Sequence, residues 1–251
     1  MSAPSLVFGI HAVRSLLLRS PARVRRLLVD ARREDPRVSE LLQLAQSAGL
    51  SAERADTKSI AGRVGDVAHQ GVLAEVEPLQ AWQEADLLAA LTTRKDPLLL
   101  MLDGVQDPHN LGACLRTADA CGAVAVVVPK DRAAGMNPTV RKVAAGAAET
   151  TPLVSVTNLA RTMKLLKEAG MWIAGADMAG EKMAWEADLG GSLALVMGSE
   201  GDGLRELTRK HCDFLVRLPQ VGSVESMNVS VACGMLLYES QRQRHLPPRG
   251  Q

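Results

Sequence analysis

Apolar positions along the chain change texture near residue 78. Before it, residues 11–18 carry apolar side chains at helical spacing, 26–29 form a short β-rich run, 38–48 predict a second helix and VLAEVEP (72–78) a strand. Residues 1–78 are therefore expected to fold as a small α/β unit. The stretch 79–96 is polar and alanine-rich and reads as a linker with one short helical stretch, ending at Asp96-Pro97. From Pro97 to residue 251, short apolar runs alternate with helical patterns: 98–102, 124–128, 153–156, 172–176, 193–198 and 214–219 against helices near 111–121, 139–148, 158–169, 203–212 and 228–242. Strands that are apolar throughout and separated by helices predict a parallel sheet covered on both faces. The fold class is thus α/β, with ligands expected beyond the carboxyl ends of the strands.

Composition narrows the class of protein. Forty-seven per cent hydrophobic residues in 251 suffice for a core without staples, and the cysteines, Cys114, Cys121, Cys212 and Cys233, show neither disulfide-framework nor zinc-site spacing. No apolar run approaches bilayer-spanning length, and the N-terminus lacks the pattern of a secretion signal, so a soluble cytoplasmic protein is expected, with no membrane and no metal. A net charge of +1 gives no global attraction for a polyanion. The charge is uneven, however: residues 1–33 hold Arg14, Arg19, Arg23, Arg25, Arg26, Arg32 and Arg33 against Asp30 alone. That run is either a solvated face or a phosphate-contacting surface. Aromatic residues form only 2% of the chain, which argues against a platform of stacked bases.

Three loops at strand ends carry candidate chemistry. DGVQDPHNLGACLR (103–116) offers Asn110, suited to capping a helix, and Arg116, at the edge of the Leu111/Leu115/Ala118 stripe and in reach of an ion pair with Asp119. GSEGDGL (198–204) sets three glycines around Glu200 and Asp202, so its backbone can approach a ligand closely, although it is neither a dinucleotide fingerprint nor a P-loop. A strand-to-helix turn with a solvated Glu200 would look the same. LPQVGSVESMNVSVACGMLLYE (218–239) leads into an amphipathic helix that Ser226 or Asn228 would cap.

Taken together, N-L-G-x-x-x-R (110–116), M-G-x-E-G-x-G (197–203) and L-P-x-x-G-x-x-x-S-M-N-V-S (218–230) resemble the three motifs of SpoU methyltransferases, in order and spacing. VQDPHNLGACLRTADACG, VPKDRA, FGIHAV and AHQGVLAEV resemble the ribosomal RNA guanosine 2′-O-methyltransferase branch, so the likeness spans nearly the whole chain. It implies an N-terminal RNA-binding domain (1–78), a catalytic domain (97–251) with a deep trefoil knot, and a homodimer with cofactor pockets near the subunit interface. The implied cofactor is S-adenosyl-L-methionine, and the implied substrate is 23S ribosomal RNA or a large-subunit precursor. By this resemblance Gly198, Leu218 and Met227 contact the cofactor, Arg116 acts on the ribose 2′-hydroxyl, and Asn110, Glu200, Ser226 and Asn228 orient the groups around it. Leu218 stands where the family commonly has Ile, and Met227 where it has Leu; both swaps keep apolar bulk.

An arginine hardly ever loses its proton, so the expected role of Arg116 is to stabilise a developing alkoxide. Rival readings are a transfer RNA 2′-O-methyltransferase, which shares the three motifs, and a non-catalytic RNA-binding assembly factor. The branch-like N-terminal segments argue against the first, and the presence of Asn110, Arg116, Glu200 and Asn228 against the second. A nucleotide-binding oxidoreductase would need a fingerprint the chain lacks.

Overall fold

The computed structural model describes residues 5–65, 69–77, 81–223 and 226–245. They belong to two units, one of residues 1–80 with 145–150 and one of residues 81–144 with 151–251.

In the first unit, β1 (Ser5–Phe8), β2 (Val24–Asp30), β3 (Ala52–Ala55) and β4 (Val72–Val76) form a sheet in the order β1-β4-β2-β3. β4 runs antiparallel to β1 and β2, while β3 runs parallel to β2. Helices α1 (Ile10–Arg19), α2 (Pro36–Ser47) and α3 (Thr57–Val64) complete it. Asp35 starts α2 by accepting the Val38 N–H, with Pro36 supplying the pre-set first helical φ. Val13 and Leu16 of α1 and Leu41 of α2 are buried together with Leu27, Val29, Val72 and Ala74 of the sheet.

The arginine run of residues 1–33 finds acids that lie far along the chain. Arg14 pairs with Glu40, Arg25 with Glu77, Arg26 with Glu53, and Arg33 with Asp35. Arg23 meets the buried Glu149 at 2.8 Å. The local excess of positive charge seen along the sequence is thus largely neutralised in the fold. Among the described residues, the Arg32 side chain is one that takes no hydrogen bond or ion pair.

The second unit holds β5 (Leu98–Asp103), β6 (Ala125–Pro129), β7 (Leu153–Val156), β8 (Trp172–Ala176), β9 (Lys182–Met183), β10 (Leu193–Gly198) and β11 (Phe214–Arg217). They form a seven-stranded parallel sheet in the order β7-β6-β5-β10-β8-β11-β9. Its helices are α4 (Glu84–Thr92), α5 (Pro108–Ala120), α6 (Pro138–Ala144), α7 (Leu159–Glu168), α8 (Glu206–His211) and α9 (Val229–His245). All six residues of β5 and of β10 are buried, as strands covered on both faces require. The stretch expected as a linker contains α4, whose Leu87 and Leu91 join the core beside Leu99, Met101 and Val196. The helix expected over 139–148 ends at Ala144, because Ala145 (φ 50°) and Gly146 (φ 98°) turn left-handed.

One connection departs from the usual βαβ order. β11 lies between β8 and β9, pairing Val216 with Ala176 on one side and with Lys182 on the other. Residues 177–181 therefore cross over β11, so closely that a Cβ on Gly180 would sit 2.8 Å from the Val216 carbonyl carbon. No described helix is long and apolar enough to cross a membrane.

Candidate active site

The chain reverses its direction of sheet growth at β5 and β10, the central pair, and their carboxyl ends meet with Gly198 opposite Asp103. A crevice at such a point is where parallel sheets bind ligands. Two loops emerge there, and each is tied down by charge. Asp103, fully buried, accepts from Arg205 Nε at 2.6 Å and from the Arg205 N–H at 3.1 Å. That clamp fixes the far end of the glycine loop to the end of β5.

The loop itself closes as a tight turn. Ser199 and Gly203 exchange two backbone hydrogen bonds of 3.1 and 3.2 Å, leaving Glu200, Gly201 and Asp202 at the tip. Gly198 has no room for a side chain: a Cβ there would lie 2.1 Å from the Gly203 carbonyl carbon. Gly203, at φ +66°, needs glycine for conformation instead.

Glu200 is an exposed residue with a heavily used carboxylate. Its Oε1 accepts from Asn110 Nδ2 at 3.1 Å, Asn228 Nδ2 at 2.6 Å and the Val229 N–H at 3.4 Å. Asn228 Nδ2 also donates to Asn110 Oδ1 at 3.0 Å. An ionised carboxylate only accepts, so both amides must present their NH2 groups to it, and the orientation of all three side chains is fixed together. Asn110 is 7% exposed. It does not cap α5; Asp107 does, accepting the His109 N–H, with Pro108 behind it. Asn228 does cap α9, with Oδ1 accepting from Ser230 N and Oγ.

Beside this network a cavity of about 310 Å³ is lined by Gly198, Glu200, Leu218, Ser226 and Met227, with Met197, Val216 and Val229 as further apolar wall. Sequence reasoning missed two wall residues, Asp177 and Arg209, which face each other at 2.6 Å. A smaller cavity of about 280 Å³ opens between Asn110, Asp107, Glu200 and Val229. Of the eight residues singled out in the sequence, seven thus sit at this crevice or in its hydrogen-bond network. Arg116 does not. It lies exposed on α5, outside the walls of both cavities, and among the described residues it takes no hydrogen bond or ion pair, not even with Asp119, which accepts from Thr151.

Burial pushes the Cys212 thiol up to about 12, far from a reactive thiolate. Among the described residues no three His, Cys, Asp or Glu side chains group so as to hold a metal ion.

A glycine-floored cavity with apolar walls and a fixed amide-carboxylate cluster suits a small cofactor held by backbone and apolar contact. Known proteins are similar in sequence and fold. Residues 97–238 match the model of the SpoU rRNA Methylase family, and residues 6–82 that of RNA 2'-O ribose methyltransferase substrate binding. The chain is 51% identical over 247 residues to the 23S rRNA (guanosine-2'-O-)-methyltransferase RlmB of Pseudomonas putida, covering 98% of this chain and 99% of that one. It is 48% identical to the protein of the same name from Escherichia coli K12, over 95% and 98% of the two chains. The crystal structure of the SpoU methyltransferase AviRb from Streptomyces viridochromogenes in complex with AdoMet is similar, with a TM-score of 0.71 and 26% identity over 96% of this chain and 90% of that one. On the family models and on these full-length relatives, the chain belongs to the SpoU rRNA methylase family.

Proposed function

We propose that this chain transfers the methyl group of S-adenosylmethionine to the ribose 2′-hydroxyl of a guanosine in 23S ribosomal RNA, working in the cytoplasm as a homodimer. The observation that carries the reading is the Asn110–Glu200–Asn228 network beside the Gly198-floored cavity; the names of the full-length relatives supply the substrate. The donor supplies an electrophilic methyl group on a sulfonium, so the protein needs no metal and no covalent intermediate. What it must do is hold donor and acceptor in line, which alone can contribute several kcal/mol.

Gly198, Leu218 and Met227 hold the donor by close backbone approach and apolar contact. Glu200, fixed by two amides, orients the loop tip, and Asn110, Ser226 and Asn228 place the ribose. Arg116 stabilises the developing alkoxide while the 2′-hydroxyl proton passes to an RNA phosphate oxygen, and the methyl–sulfur bond breaks to leave S-adenosylhomocysteine. Since Arg116 is absent from its own chain's cavity walls, a second copy brings it there. α9 supports that arrangement: Val231, Met235 and Tyr238, spaced at one helical face, are 55%, 43% and 69% exposed, an apolar stripe suited to a subunit interface. The crossing of 177–181 over β11 supports the knotted catalytic half that the family resemblance implies. The N-terminal unit recognises RNA, a reading supported by its match to a substrate-binding model.

Two measurements test this. Purified protein with radiolabelled S-adenosylmethionine should label a guanosine ribose in ribosomal RNA from cells lacking the protein, and not in RNA from cells that have it. Labelling of transfer RNA alone would overturn the substrate, and absence of any transfer would overturn the activity.

A further inference from the structure

A further cavity, about 660 Å³ in volume, lies at the opposite end of the catalytic unit's sheet from the crevice. Its walls include Trp172, Phe214, Lys182, Asp188 and Ser192. Ser192 precedes β10 and Gly198 ends it, so at about 3.3 Å per residue the two cavities are roughly 20 Å apart. It is not part of the methyl-transfer site.

Its lining is unusual for this chain. There are six aromatic side chains in 251 residues, and two of them face one cavity. Trp172 is 64% exposed although it opens a strand whose next three residues are buried, so the fold gains little from having tryptophan there. The polar groups divide cleanly. Asp213 is committed, accepting from the Ile173 N–H and pairing with Lys167. Asp188 uses Oδ1 for the Gly190 N–H and leaves Oδ2 open. Lys182 is exposed, and among the described residues its ammonium and the Ser192 hydroxyl have no partner.

An open aromatic face, one carboxylate oxygen and one free ammonium form a complementary set for a particular base. Guanine carries adjacent N1–H and N2–H donors, which the open Oδ2 and the remaining lone pair of Oδ1 can take together, beside the O6 and N7 acceptors for an ammonium, whereas adenine has only its N6 amino group to donate. Unpaired bases in RNA are read in this way, by stacking on an aromatic ring and by hydrogen bonds to their edges. The volume is within the range of small-ligand sites. We propose that this cavity binds an unpaired guanine nucleotide, stacked on Trp172, with Asp188 accepting from its N–H edge and Lys182 meeting O6, N7 or its phosphate. The proposal rests on the RNA-methyltransferase reading for the source of that nucleotide, a strand of the substrate RNA contacted away from the reacting ribose. It also refines the argument from composition: a stacking platform is absent, but a single stacking position is present.

The test uses full-length protein in which Trp82 and Trp185 are replaced by Phe, so that Trp172 alone reports. Titration with a short single-stranded oligonucleotide containing one guanosine should quench its fluorescence saturably, and the adenosine analogue should bind at least about tenfold more weakly. Asp188→Asn should remove that preference, and Trp172→Ala, at an exposed position, should weaken substrate RNA binding about 5- to 150-fold with melting temperature and S-adenosylmethionine affinity unchanged. Guanosine monophosphate in place of the oligonucleotide separates a free nucleotide from RNA as the source. Equal affinity for the two bases, or unaltered RNA binding by Trp172→Ala, overturns the proposal. Conversion of a dimer to monomers by Trp172→Ala would also overturn it, by making this face a subunit contact. If the wild type transfers no methyl group the functional reading fails, and quenching by guanosine monophosphate alone then decides the cavity.

Discussion

Gly198→Ala is the smallest change that tests the geometry of the glycine loop. The added methyl would sit 2.1 Å from the Gly203 carbonyl carbon, 2.3 Å from its oxygen and 2.4 Å from the Leu204 nitrogen. Carbon atoms rest about 3.5 Å apart at contact, so the loop backbone must retreat by roughly 1.4 Å. That displacement breaks the 3.1 and 3.2 Å bonds between Ser199 and Gly203, about 1 kcal/mol each. With strain of overpacking the loss is about 3 kcal/mol in stability, and on the order of 10 °C in melting temperature for a chain of this size. Cofactor affinity by calorimetry should fall by about tenfold or more, since each decade is only about 1.4 kcal/mol. Two glycines calibrate the effect. Gly201→Ala meets nothing within 4 Å but has φ +92°, and should cost about 1 kcal/mol of backbone strain. Gly222→Ala, open and without a positive φ, should be neutral within about 0.5 kcal/mol. If Gly198→Ala melts and binds S-adenosylmethionine as Gly222→Ala does, the close approach is not what forms the site.

Further tests address the remaining links. Arg116→Ala should lower methyl transfer about 100- to 1000-fold while leaving cofactor affinity and melting temperature intact; a small rate effect would return Arg116 to the protein surface. Arg205→Met leaves the buried Asp103 without its charged partner and with only the residue-205 N–H to accept from, and should destabilise by about 3 kcal/mol in urea titration, whereas Asp103→Asn, which leaves only the half-exposed Arg205, should cost less; the reverse ranking would refute the clamp. The Cys212 thiol, raised from its ordinary value near 9 to about 12, adds stability that is fully present below about pH 9 and is lost as pH rises toward about 12. A Cys212→Ala variant should therefore show a flatter stability profile across that window. Charge reversal at Arg32, whose side chain makes no hydrogen bond or ion pair among the described residues, should reduce the salt dependence of RNA binding by about one unit of logarithmic slope, and Arg25 reversal by less because Glu77 already neutralises it; equal slopes for both variants and wild type would make the N-terminal arginines a solvated face.

Long periodic segments were readable in advance because their apolar stripes are what the core demands: α1, α2, α7, β5 and β10 fall where the pattern puts them. Elements without that demand left no signal. β3, AERA, has no buried residue at the edge of its sheet, and β9 is two residues long. At the site, residue identities were legible but their partners were not. Asn110 and Asn228 meet across 118 positions of sequence, and the spacing of amides along a chain says nothing about which carboxylate they will share. Asp103 ends an apolar run where any turn residue would, so its burial against Arg205 could only be seen in space. Counting arginines against nearby acids hid their pairing for the same reason: Glu53 and Glu75 lie on neighbouring strands and Glu77 directly after β4, all far from the arginines along the chain.

The insertion of β11 between β8 and β9 also constrains when the protein can begin to work. During synthesis β8 and β9 leave the ribosome some thirty residues before the strand that must separate them, so the sheet cannot be laid down in the order it is made. Pairings this distant in sequence are slow to form. Leu218, Met227 and Asn228 come after β11, which leaves a nascent chain with its glycine loop present but with one wall and one amide of the crevice missing. The crevice is therefore complete only once residues 218–229 have joined the fold, and a chain truncated ahead of residue 218 would lack Leu218, Met227 and Asn228 from its walls and network however well its first strands had folded.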